Sequence, residues 1–230
     1  GGGSANYASD EAATVGGGWH NTASGSSAAI GGGHYNQATA DYATIAGGGS
    51  DQSALGNRVT DDYGAVGGGY NNQAGDGAGT TDDKSYATVG GGFSNTASGW
   101  ASTIGGGQSN TASGSNATVP GGWDNTASGS YSFAAGRFAK ANNEGCFVWG
   151  DSSTLAYVTC DVDNRWVARA SGGVYFYTNA GLTSGMYLSA GGSSWNAVSD
   201  RERKENFEPV DNQELLARLA ENPVTTWNYK

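Results

Sequence analysis

Over positions 1–142 the large apolar side chains come singly, each two positions after a small one. Ala13 precedes Val15, Ala28 precedes Ile30 and Ala43 precedes Ile45. The pattern returns at Ala87 and Val89, Ser102 and Ile104, and Ala117 and Val119. Alternation at period two predicts short strands with one apolar face. A second alternating stretch follows each of these, with Ala23, Ala97, Ala112 and Ala127 set between polar neighbours. Glycines separate the two stretches, as sharp turns require. A helix is excluded, because three glycines per repeat would cost about 3 kcal/mol each time.

The unit is a repeat. "ATVGGGWHNTASG" (13–25) returns as "ATVGGGFSNTASG" (87–99) and "ATVPGGWDNTASG" (117–129). Glycine triplets or their equivalents begin at Gly1, Gly16, Gly31, Gly47, Gly67, Gly90, Gly105 and Pro120, at intervals of 15, 15, 16, 20, 23, 15 and 15. The two long intervals carry polar insertions around "GNRVTDDYG" (56–64) and "GDGAGTTDDKSY" (75–86). A constant period broken by polar insertions predicts a stack of equal coils with loops. At about 4.8 Å per coil, eight coils span roughly 40 Å. An interior of Ala, Val, Ile and Ser buries little surface, so identical copies are expected to pack side by side.

Composition narrows the readings. Glycine is 41 of 230 residues without a Gly-X-Y period, which excludes collagen. A bundle of polyglycine II helices conflicts with the alternating Ala-Thr-Val strands. The net charge of −10 disfavours nucleic acid and anionic membranes as partners. No apolar run long enough to insert in a membrane occurs. A chain opening on Gly1 rather than Met is expected to be a fragment or processed product, with any signal peptide outside it.

Candidate chemistry is sparse. Cys146 and Cys160 are the only cysteines, and a disulfide and two buried thiols both remain open. With His20 and His34 the only histidines, a zinc site is not expected. The acidic pairs Asp61-Asp62 and Asp82-Asp83 admit either calcium or plain solvation, and no metal or cofactor is assigned. Aromatic residues follow the glycines at Trp19, Tyr35, Tyr70, Phe93 and Trp123, beside His20 and His34. A shared register would make them a row, either a glycan-binding strip or packing between subunits. The row breaks at Ser50 and Gln108.

The phrase "ATVGGGxxNTASGxxS" resembles the head repeats of trimeric autotransporter adhesins, the YadA-like heads, over about residues 1–142. That resemblance implies a left-handed parallel β-roll and a homotrimer. The chain departs from the family in a repeat that is longer by one position, and in three glycines where one is common.

From about Asn143 the triplets stop. "CFVWGDSS" and "RWVARASGGVYFYTN" have strand composition. Their larger side chains predict a wider core over 143–198, in a β-rich connector shared between chains. In 195–230, Asp211 and Glu214 form an N-cap and capping box, Leu215, Leu216 and Leu219 one apolar face, and Pro223 a stop. "VTTWNY" (224–229) predicts a strand. Ser199-Asp200-Arg201, Lys204, Asn206, Pro209-Val210 and "PVTTWNYK" are similar to the start of the intramolecular chaperone of phage tailspikes and endosialidases, the peptidase S74 family. That resemblance implies trimer assembly and one self-cleavage before Asp200, with Ser199 as nucleophile and Lys204 as general base. The family's domain runs well past "WNYK", so 199–230 is expected to be an incomplete stub.

These readings combine into an all-β, homotrimeric fibre: a β-roll head (1–142), a connector (143–198) and a chaperone stub (199–230). The expected function is extracellular attachment to a target surface through a glycan or protein receptor, on a tail fibre or a cell-surface appendage, without turnover chemistry. The competing readings are an ice-binding solenoid, with Thr22, Thr96, Thr111 and Thr126 aligned, and a polysaccharide-degrading one.

Overall fold

A computed structural model describes residues 2–198 and 211–221, and the chain forms two compact units, Gly1–Ser171 and Gly172–Lys230. The first unit is a parallel β-solenoid. Each coil contributes one short strand to each of two sheets. One sheet has ten strands, running from Tyr7–Ala8 to Val158–Cys160; the other has eleven and runs from Thr14–Val15 to Trp166–Arg169. Successive coils pair in parallel, Thr22 against Gln37 in the first sheet and Ala29 against Thr44 in the second.

The core lies between the sheets in three columns. Ile30, Ile45, Val66, Val89, Ile104 and Val119 face Ala23, Ala38, Ala74, Ala97, Ala112 and Ala127, with Ala28, Ala43, Ala87, Ser102 and Ala117 beside them. The largest fully buried side chains among the described residues are isoleucines. One coil exchanges volumes. Val59 stands in an alanine column, and Gly64 stands in the other small-residue column. A methyl on Gly64 would meet Cγ1 of Val59 at 2.6 Å, so the missing carbon on one side accommodates the extra carbons on the other.

The glycine triplets serve the first corner of the coil. Gly18 has φ +90°, and a Cβ there would overlap the carbonyl of Gly33 in the next coil. The middle glycine has more room, since a methyl at Gly32 meets nothing closer than 3.8 Å, but Gly68, Gly91, Gly106 and Gly121 have φ of +143° to +156°. The register also corrects the apparent interval of 16. Ala46, not Gly47, stacks beneath Gly31, so this coil keeps the period of its neighbours. The extra length falls entirely in the next coil, where Gln37 pairs with Arg58. Ala46 fills the first glycine slot, and the run 47–49 is offset by one.

Behind the same corner runs a buried asparagine ladder. The side-chain oxygens of Asn21, Asn36, Asn57, Asn72, Asn95 and Asn110 each accept the backbone N–H of the next asparagine, at 3.0–3.1 Å. Asn125 closes the run by accepting from the N–H of Ala139 at 3.0 Å. Each amide nitrogen donates to glycine carbonyls of its own coil and of the next; that of Asn110 reaches Gly106 and Gly122, both at 3.0 Å. The corner exposes no strand partner for these backbone groups, and the asparagine supplies one.

The stack does not end at residue 142. Phe133–Arg137, Phe147–Gly150 and Trp166–Arg169 continue one sheet, and Ala139–Ala141 and Val158–Cys160 the other. Within the single chain the core does not widen there, because the rings of Phe147, Trp149 and Trp166 point outward and are 40–58% exposed. Val148 and a Cys146–Cys160 disulfide fill the core columns instead. Asp151 fastens the final turn. Its carboxylate accepts from Arg169 Nε at 2.8 Å and from Ser153 and the Ser171 N–H at 2.6 Å.

The second unit holds a three-stranded antiparallel sheet, Gly173–Tyr177, Gly185–Ser189 and Asn196–Ala197, and the helix Asn212–Ala220. Asp211 caps that helix, accepting from the N–H of Gln213 at 2.8 Å and of Glu214 at 3.3 Å. Glu214 pairs with Arg218 one turn on, at 2.7 Å. Leu215, Leu216 and Leu219 are exposed. No helix among the described residues is long and apolar enough to cross a membrane.

Candidate functional site

Each coil has two corners, and both carry residues with φ near +55°. Left-handed backbone is costly for any residue but glycine, and asparagine is the cheapest alternative. Side chains at these corners cannot reach the core, so large ones are displayed outward.

On the first corner Trp19 pairs in register with His34, Tyr70 with Phe93, and Gln108 with Trp123. Trp19, Tyr70, Phe93 and Trp123 thus form a single column. Tyr35 does not belong to it. It stands one column over, stacked on His20 with ring centroids 4.9 Å apart. The strip divides into three clusters. Trp19 lies edge-on to His34 at 6.1 Å, beside the His20–Tyr35 stack. Tyr70 stacks on Phe93 at 5.1 Å. Trp123 packs against Phe138 at 5.2 Å and under the Arg137 guanidinium at 4.5 Å. The gaps fall at Gly49, where the 3-10 turn Ser53–Leu55 follows, and at Gln108.

A second aromatic column occupies the other corner. Tyr42 stacks on Tyr63 at 4.7 Å and Tyr63 on Tyr86 at 5.1 Å, and Trp100, one position before the column residue Ala101, meets Tyr86 edge-on at 6.0 Å. Tyr131 lies in the corresponding corner two coils beyond Trp100. These five rings are 44–66% exposed, and the four tyrosines all have φ between 56° and 67°. The phenol of Tyr63 is pushed above its usual value, first by desolvation and then by Tyr42 and Tyr86 on either side. This column is written in "DYATI", "DYGAV", "SYATV" and "SYSFA", each with its tyrosine three residues before the inward aliphatic or alanine. Sequence reasoning missed it, because the glycine-flanked aromatics carry the more conspicuous repeat.

The outward threonines form short runs. Thr96, Thr111 and Thr126 align in one sheet, and Thr88, Thr103 and Thr118 in the other. Gln37, Arg58 and Gln73 separate Thr22 from Thr96 in the first. Of the two acidic pairs, Asp61 and Asp83 come together with Asp76, whereas Asp62 accepts the Asp41 N–H and Asp82 the Thr80 hydroxyl. Burial pushes the Asp61 carboxyl up, against a lowering hydrogen bond from Thr60. Ser199, Asp200 and Lys204 lie outside the described residues, as does the strand expected at 224–229.

No protein-family model matches the chain, and no curated sequence matches it.

Proposed function

We propose that this chain is the outer part of a homotrimeric surface fibre that attaches to a target cell or surface. The observation that carries the reading is the pair of exposed aromatic columns on a solenoid whose fully buried side chains, among the described residues, are no larger than isoleucine. Exposed tyrosines in left-handed corners gain no core burial and bear a backbone cost, so a partner surface is the natural beneficiary. In this reading the coils wind left-handed and three copies pack along the axis, with the first column, already packed within itself and beneath Arg137, facing a neighbouring copy. The tyrosine column faces the receptor, a glycan or protein, as flat rings do on sugar faces. By its resemblance to the S74 chaperones, the segment 199–230 directs trimer assembly and cuts once before Asp200, using Ser199 and Lys204. The interrupted threonine rows favour this reading over ice binding.

Two variants test it. Tyr42→Ser/Tyr63→Ser/Tyr86→Ser should keep the oligomer and lose binding to a panel of bacterial cells and purified polysaccharides. Trp19→Ser/Phe93→Ser/Trp123→Ser should weaken the oligomer. If neither variant changes binding or mass relative to the parent, the columns have no such role. Cleavage is read separately by intact-mass spectrometry, where a break before Asp200 should vanish in Ser199→Ala.

A further inference from the structure

The second insertion leaves the solenoid after the strand Gln73–Ala74 and returns at Tyr86. Where it departs, Asp61 of the preceding coil turns its carboxylate into the insertion. Asp61 is 1% exposed, which is unusual for a carboxylate with no basic partner. Its Oδ2 accepts from the Thr60 hydroxyl at 2.9 Å and from the Asp76 N–H at 3.0 Å. Its Oδ1 is shielded from solvent and has no hydrogen-bond partner. Leaving such an oxygen unpaired is costly, because water solvates it in the unfolded chain and nothing replaces that water in the fold. Two further carboxylates stand beside that of Asp61. One carboxylate oxygen each from Asp61, Asp76 and Asp83 lie within 4.8 Å of one another. The cation beside them, Lys84, stands 3.6 Å from Asp83 in a pair more than a third exposed on both sides. Solvent screens a pair of that kind, and it does not reach the buried oxygen.

We propose that Asp61, Asp76 and Asp83 form a divalent-cation site, sized for Ca²⁺, that fastens the second insertion to the solenoid. Ca²⁺ binds oxygen at about 2.3–2.6 Å, so ligands on opposite sides of one ion stand about 4.6–5.2 Å apart. A set confined within 4.8 Å fits inside that sphere. Mg²⁺, at about 2.0–2.1 Å with near-octahedral demands, requires a tighter cluster. Three carboxylates leave positions for backbone carbonyls of the insertion and for water. The ion supplies the missing partner of Asp61 Oδ1 and removes the mutual repulsion of the three acids. The site uses no side chain of either aromatic column and stands or falls apart from the attachment reading.

The test is calorimetric titration of the EDTA-stripped, dialysed protein with CaCl₂ and, separately, MgCl₂. One Ca²⁺ per chain is expected, with Mg²⁺ at least tenfold weaker. Asp76→Asn and Asp83→Asn should each weaken Ca²⁺ binding at least tenfold; both side chains reach solvent, so the coil itself is expected to fold. As a second readout, tryptic cleavage after Lys84 should slow at least fivefold when Ca²⁺ is added to the parent protein, and not in Asp76→Asn. Absence of saturable Ca²⁺ binding overturns the proposal, and so do variants that bind Ca²⁺ as the parent does.

Discussion

Replacing Asn110 with alanine removes an internal rung of the buried ladder. Its amide donates to Asn95 Oδ1, Gly106 O and Gly122 O, and its oxygen accepts from the N–H and the amide of Asn125. Several partners survive the change. Gly122 O still accepts from Gln108, and the Asn125 amide still reaches Gly121 and Gly136. Two groups lose the bond from Asn110 with no substitute: the backbone N–H of Asn125 and the carbonyl of Gly106. At about 1–3 kcal/mol for each buried orphan, plus a small cavity, the expected loss is about 4 kcal/mol. Asn110→Asp should cost more, because its charged oxygen would face the carbonyls of Gly106 and Gly122. Gln108→Ala, an exposed neighbour in the same coil, should stay within about 0.5 kcal/mol of the parent. The assay is urea unfolding followed by far-UV circular dichroism at one fixed protein concentration, since association shifts apparent stability. An Asn110→Ala midpoint equal to that of Gln108→Ala would refute the idea that the ladder holds the corner.

Other outcomes follow from the same geometry. Gly64→Ala should destabilise by about 1–3 kcal/mol through its clash with Val59, and Val59→Ala by about 2 kcal/mol through a cavity. The double variant restores the small-residue pattern of the other coils and should cost less than the sum by more than about 1 kcal/mol; simple additivity in urea unfolding would contradict the packing described. The Cys146–Cys160 bridge spans a sequence separation of 14, worth about 3 kcal/mol in a chain-entropy account. Cys160→Ser should therefore raise amide exchange in coils 146–169 while leaving 13–127 unchanged, and uniform loosening would show the coils to be less independent than a solenoid implies. Hydrogen bonds from Ser153, Ser171 and Arg169 hold the Asp151 carboxyl well below the usual range. Its stabilising effect is complete above the unfolded value of about 3.9 and is lost as pH falls below it. Exchange in 166–171 should thus rise only in strong acid, and Asp151→Asn should remove that dependence.

Much of the solenoid is legible in the sequence, for a simple reason. A small residue two places before an aliphatic one marks an inward-facing pair, and the spacing of such pairs is the coil length. Expectation and structure part where a residue's neighbours misrepresent its direction. Phe147 and Trp149 look like core, but alternation turns them outward and leaves Val148 inside. The end of the glycine triplets puts a boundary at 142, although the coils continue to Arg169. The triplet at 47–49 suggests a register that Ala46 corrects. The asparagine ladder stands in plain view, one residue before each Thr-Ala or Gln-Ala pair, yet a buried amide satisfying backbone groups carries no apolar signal. Tyr35 reads into the wrong column because a left-handed corner shifts adjacent residues onto different edges.

The central claim is that so slender a solenoid persists by packing against two copies of itself. Light scattering coupled to size exclusion tests it most directly. A chain of 23.2 kDa should run as a species of three times that mass, which does not dissociate on dilution into the nanomolar range. A stable, folded monomer of 23.2 kDa would contradict it.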